Sequence, residues 1–165
     1  MTSNRVVIRA GLACGLLAAA AVVAPAAGAD DPNWAGRYKI TFHTDQKTGT
    51  SMAAGQQETP YAASYLFTTE CGDDGCLAKA VDGPVPKDNV SAAVSFEWTG
   101  AQWEKSRDWR WDCLLPDGTI TYDPATSVTV YRPQPDGSLT GSFDTTIDSG
   151  DCAGTVNIPV TARPD

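Results

Sequence analysis

The sequence predicts an all-β domain: an antiparallel up-and-down meander forming a small barrel, closed or partly open, with a two-sheet sandwich as the competing arrangement. Three observations predict it. Residues 90–113 alternate on both sides of a short Thr99-Gly100 break and hold four of the five tryptophans, the mark of a β-hairpin. Turn residues recur at close intervals beyond residue 30, and no stretch there carries a convincing helical period. Roughly eight to ten short strands with hairpin-length connections pair with their neighbours and hide their edges by closing or folding over.

Residues 1–29 read as a secretory signal peptide and residues 30–165 as a single disulfide-stabilised β-domain. Arg5 and Arg9 form a basic start, an Ala/Leu/Val run reaches Ala24, and Pro25 precedes the A-x-A site Ala27-Gly28-Ala29. The run is too short and too weakly apolar for a membrane span. Cys14 follows Gly11-Leu12-Ala13, so Gly stands where a lipobox has Leu, and a cysteine discarded with the leader is the simpler reading. The expected location is secreted, extracellular or in the cell envelope, with no stable membrane insertion after cleavage.

Without the leader, 136 residues remain, with ten cations against 20 acids and a net charge of −10. That length suits one domain with a real core. An acidic surface repels phosphate backbones and anionic bilayers, so nucleic acid is a poor partner. An unknown protein or an envelope ligand is the expected one.

The strands follow in order. Tyr38, Ile40 and Phe42 alternate with Arg37, Lys39, Thr41 and His43, giving a half-buried strand with His43 on the wet side. Residues 46–60 read as a long loop or ragged hairpin. Residues 63–71 and 76–81 form the next pair, and 82–88 connect them to the Trp-rich hairpin. Closing that hairpin at Thr99-Gly100 pairs Phe96 with Trp103, Val94 with Lys105 and Ala92 with Arg107. Residues 119–122 form a short strand that Asp123-Pro124 breaks. Residues 127–132, then Leu139 to Ile147, then Val156 to Ala162 complete the set. Pro159 within the last strand suggests an edge or a bulge.

Cys71, Cys76, Cys113 and Cys152 allow three disulfide pairings in an exported chain. Cys71–Cys76 is preferred, because Gly72-Asp73-Asp74-Gly75 is a tight turn between them. That leaves Cys113–Cys152, and both of these share the inward parity of their strands. Zinc is a poor competitor: the spacings do not suit it and His43 is the only histidine.

The unusual feature is the inward face of the hairpin's second arm. There Lys105 and Arg107 share parity with Trp103, Trp109 and Trp111. A buried cation needs a partner. The functional reading is a cavity in which Lys105 or Arg107 meets an anionic ligand beside tryptophan walls. The competing reading turns both cations outward at a bulge near Ser106, or pairs them with a neighbouring carboxylate. The tryptophans could also stack on sugar rings, although inward parity favours a core role. The acids Glu70, Asp73 and Asp74, and Asp144, Asp148 and Asp151, match no calcium loop and read as solvated carboxylates. No G-x-S-x-G or other catalytic motif is present. No cofactor, metal ion or enzymatic activity is expected.

Several residues carry a resemblance. They are the leader, Gly36-Arg37-Tyr38, the Cys71/Cys76 pair and Trp103 after a Gly turn. Further along come Cys113 with Asp117-Gly118-Thr119, Pro135-Asp136-Gly137-Ser138-Leu139-Thr140-Gly141, and Cys152 with Gly154 and Pro159. Together they resemble a family of small secreted proteins of mycobacteria and related actinobacteria, with related stretches in the ectodomains of some receptor-type Ser/Thr kinases. The resemblance implies a secreted disulfide-bonded β-domain and no catalytic residue. Trp34-Ala35-Gly36-Arg37-Tyr38 is also similar to the G-x-W opening of lipocalin-type barrels, with Tyr38 in place of Trp. The expected function is a binding or interaction module. A lipid or glycan carrier with an internal pocket is the alternative, and a hydrolase is a minor third.

Overall fold

In a computed structural model, residues 32–84 and 94–165 are described. The expected leader, Cys14 and the hairpin positions Val90 and Ala92 lie outside them. Eight strands follow in chain order: β1 (Gly36–Phe42), β2 (Tyr61–Gly72), β3 (Gly75–Asp82), β4 (Ser95–Trp98), β5 (Trp103–Leu114), β6 (Ile120–Pro133), β7 (Leu139–Ile147) and β8 (Gly154–Pro164). Each pairs antiparallel with the next, and β1 pairs with β8 to close the barrel. Closure removes both edges of the meander, which is why the barrel rather than the sandwich is adopted.

Alternation translates directly into inside and outside. Tyr38, Ile40, Phe67, Ala78, Phe96, Trp103, Tyr131, Phe143, Ile158 and Val160 are buried, while their neighbours in sequence are mostly exposed or half-buried. On β7 the inward position 141 is glycine, and a Cβ there would fall 1.8 Å from the Val130 carbonyl oxygen. Only glycine lets β6 and β7 approach this closely.

The β4–β5 hairpin differs from its sequence reading. Trp98 pairs with Trp103 and Glu97 with Glu104, while Phe96 pairs with Ala78 on β3. The turn takes four residues, held by the Thr99 N–H donating to the Gln102 carbonyl at 2.9 Å, with Gly100 at φ 94°. The register therefore slips by two residues, which keeps every side chain on its expected face.

Two prolines depart from their sequence reading for one reason. Asp123-Pro124 does not break a strand: β6 runs unbroken from Ile120 to Pro133. Pro159 sits inside β8, paired with Ser142 on the β7 side, and on the other side it lies past the end of β1. The Pro124 carbonyl accepts the Asp148 N–H and the Pro159 carbonyl accepts the His43 N–H, each at 2.9 Å. Both contacts lie just past the last residue of the neighbouring strand, Ile147 and Phe42. The missing proline N–H therefore removes no bond from within a ladder.

The loop expected over 46–60 is more ordered than its composition suggests. A 3-10 turn at Thr44–Gln46 leads into it and a second lies within it at Met52–Gly55. It extends along β8 through a Thr48–Asn157 bridge and the Thr50 N–H to Thr155 carbonyl bond at 3.0 Å. Ser51 caps the second turn, accepting the Ala53 N–H at 3.1 Å and donating to the Cys152 carbonyl at 2.6 Å.

Both cysteine pairs are disulfides. Cys71–Cys76 closes the β2–β3 turn with Cα atoms 4.0 Å apart, and Cys113–Cys152 joins the end of β5 to the β7–β8 connection at 5.7 Å. The interior thus has three levels. An aromatic cluster around Trp34 fills one end, the buried Cys113–Cys152 bridge with Ala53, Ala125, Ile147 and Val156 fills the other, and a cavity lies between.

Candidate functional site

The cavity has a volume of about 490 Å³, within the range of small-molecule sites. Phe96 and Tyr131 form its floor and also contact Trp34, with ring centroids 5.0 Å away in both cases. Ile40, Phe42, Phe143 and Ile158 supply the walls from β1, β7 and β8. β5 supplies Lys105, Arg107, Trp109 and Trp111. Tyr61, Tyr65, Pro84 and Val94 also border it. Among the described residues the wall is therefore mainly aromatic and aliphatic, with two cations on one strand.

The local reason for the cations' placement is the unbroken β5–β6 ladder. It runs from Trp103–Tyr131 to Leu114–Ile120 without a register shift. No bulge at Ser106 turns Lys105 or Arg107 outward. Opposite them β6 offers Thr129 and Ser127, which cannot neutralise a cation. Among the described residues walling the cavity there is no Asp or Glu.

Arg107 lies over two rings, its guanidinium carbon 4.7 Å from the Trp109 centroid and 5.7 Å from that of Phe143. These cation–π contacts offset part of its desolvation. Among the described residues none forms an ion pair or hydrogen bond with it. Burial holds its pKa below the ordinary arginine value. Burial, and then the Arg107 charge, push the Lys105 ammonium down in the same way. Trp109 is fixed by its indole N–H donating to Ser127 Oγ at 2.8 Å, and Ser127 in turn contacts Thr145 Oγ1 at 2.7 Å. Trp111 packs against Trp109 at 5.5 Å between centroids.

A charge kept indoors without an anion costs stability. Replacing Arg107 with methionine keeps the stem and removes the charge. We expect Arg107→Met to raise unfolding free energy by about 1 kcal/mol, because desolvation outweighs an exposed-type cation–π gain. Urea titration checks this; a loss of stability would show that the guanidinium is satisfied in place.

The five residues singled out from sequence do not all meet. Lys105, Arg107, Trp109 and Trp111 share the cavity wall. Trp103 does not: it is fully buried in the aromatic cluster, 5.2 Å from Trp98 and 6.2 Å from Trp34 between ring centroids. Slippage of the β4–β5 register places it against Trp98 at the closed end. Phe42, Phe143 and Tyr61 also line the cavity, and sequence reasoning misses them. The inward parity of the two phenylalanines is readable, but only strand pairing brings them to the site: β7 reaches it across β6, and β1 and β2 by barrel closure.

Other candidate chemistry is accounted for locally. His43 Nε2 lies 3.1 Å from Thr161 Oγ1. Asp123 sits with Cys113 and Cys152 in one buried group. Both cysteine sulfurs are consumed by the disulfide, and Asp123 accepts the Cys152 N–H at 2.8 Å, so the group offers no thiolate to a metal. Glu70 pairs with Lys79 at 2.9 Å, and Asp144 accepts from Ser142 at 2.5 Å and from Asn157. No helix among the described residues is long and apolar enough to cross a membrane.

The chain is similar to known proteins in sequence family and in fold. The family described as the PknI serine/threonine-protein kinase sensor domain matches residues 31–164. The monomer form of the M. tuberculosis PknI sensor domain is similar in fold, with a TM-score of 0.60 and 22% identity over 81% of this chain and 88% of that one. Its dimer form aligns with a TM-score of 0.48 and 24% identity over 62% of this chain and 71% of that one. No curated protein matches.

Proposed function

Since the chain belongs to the PknI serine/threonine-protein kinase sensor-domain family, we propose that it is a secreted or envelope-exposed binding module that takes a small ligand inside its barrel. The observation that carries this reading is the 490 Å³ cavity walled by Lys105, Arg107, Trp109 and Trp111. A merely structural barrel of this size gains by filling its middle. Here both ends are packed and the middle is open. Binding is the activity this wall supports: its described residues are mainly rings and aliphatic side chains beside two cations.

Export supports the same reading. Residues 1–29 carry a leader pattern, the compact unit spans Asp31–Asp165, and disulfides suit an oxidising compartment. Intact native mass spectrometry of protein recovered from its own host tests both parts. The expected result is a chain beginning at Asp30 that carries a co-purifying small molecule released on denaturation. A chain retaining its leader would overturn the export reading. A bare mass, together with no uptake of an uncharged apolar fluorophore, would overturn the cavity reading.

A further inference from the structure

Resting on that reading of the cavity, we propose that its ligand is an anionic amphiphile: one acidic head group held between Lys105 and Arg107, and an apolar body lying against Trp109, Trp111 and Phe143. The class follows from the wall. Arg107 presents five N–H donors in a fixed fork, and among the described residues no group of the protein accepts from it. Lys105 stands two residues away on the same face of β5, about 7 Å along the strand. Two cations at this separation match one carboxylate or phosphate set between them. Among the described residues, the rest of the wall is largely ring or aliphatic surface.

The orientation follows from a second hollow. A groove of about 400 Å³ runs over the β4–β5 hairpin, and Lys105 and Arg107 line both it and the cavity. The head therefore sits at the junction of the two, and the body reaches inward from it. Beyond the cations, the groove carries Glu97 and Glu104, paired across the strands. These carboxylates disfavour a second acidic group further out. Polyanions such as nucleotides are excluded, and a single acidic head is selected.

Head group is the variable to test. Laurate, dodecyl phosphate, dodecanol and dodecyltrimethylammonium share one tail. Each is titrated below its micelle concentration into the purified, delipidated protein, with tryptophan fluorescence and calorimetry as readouts. We expect laurate or dodecyl phosphate to bind at least about tenfold more tightly than dodecanol, the scale of one charge-assisted contact. The ammonium should be weakest. Preference between the two acids tells a carboxylate from a phosphate head. Arg107→Gln should bring the acids' affinity down toward the alcohol's and narrow the gap between them, with Lys105→Gln in the same direction. Far-UV circular dichroism and the melting profile verify folding of each variant, and Arg107→Met serves as a second, apolar replacement. Equal binding of dodecanol and the acids, insensitive to Arg107→Gln, would overturn the anionic head while sparing the cavity. Binding by none of the four would overturn both.

Discussion

Replacing Trp34 with alanine should cost about 4 kcal/mol of unfolding free energy, a large share of what a domain of this size possesses. Trp34 precedes β1 yet is fully buried at the hub of the aromatic end. It stacks on Phe67 at 4.3 Å and 22°, and meets Phe96, Tyr131, Trp103 and Tyr38 within 6.2 Å. These partners come from β1, β2, β4, β5 and β6, so one ring ties together most of the barrel circumference. Its backbone is pinned too: the Trp34 N–H donates to Thr69 Oγ1 at 3.0 Å, and the Thr69 hydroxyl donates to the Trp34 carbonyl at 2.9 Å. Alanine would leave a void whose aromatic walls cannot collapse without shifting several strands. Trp34→Phe should cost roughly half as much, because it keeps a ring in the same place. Trp109→Ala, removing a half-buried wall of the cavity, should cost less than Trp34→Ala. Urea denaturation at neutral pH ranks the three. A Trp34→Ala variant within about 1 kcal/mol of the parent would mean that strand pairing alone holds this end of the barrel.

The second large effect is expected at the opposite end. The double variant Cys113→Ala with Cys152→Ala should lose about 4 kcal/mol, and Cys71→Ala with Cys76→Ala about 2 kcal/mol. The difference is one of loop length, with sequence separations of 39 and 5 residues. The longer link removes more freedom from the unfolded chain. It also anchors packing, since both of its cysteines are fully buried. Around it, the Cys152 N–H is held by Asp123 and its carbonyl by Ser51. Loss of the long bridge therefore loosens the loop that covers this end as well. Urea midpoints of the two double variants decide the order. If removing the short bridge proved the more damaging, the β2–β3 turn rather than the link from β5 to the β7–β8 connection would be the main staple.

Part of the candidate site is legible in the amino-acid sequence alone. Period-two alternation puts Lys105, Arg107, Trp109 and Trp111 on one face of β5, and the face survives a two-residue error in register because the side-chain period is two. Trp103 faces inward as its parity requires, but it lies outside the cavity. A strand crosses all three levels of the interior, and parity says nothing about height. Phe42 and Phe143 are inward on their own strands; Phe143 reaches Arg107 across β6 through the β5–β6 and β6–β7 pairings, whereas Phe42 is brought to the same cavity by closure between β1 and β8. Trp34 carries no periodic signal at all, since it lies outside the strands; only the likeness of residues 34–38 to a barrel opening marks it.

What the sequence determined by itself was local and repeating: strands, faces, tight turns and the proximity of Cys71 to Cys76. These depend on neighbours a few residues apart. What only the tertiary structure decided was where those faces converge. Pro124 reads as a strand breaker and Pro159 as a sign of an edge or a bulge because a proline lacks one N–H, yet each stands where the adjacent strand has already ended. Whether Arg107 would meet a carboxylate, a ring or an open cavity likewise depended on which strands lay opposite. That is fixed by sheet closure, a contact between residues more than a hundred positions apart.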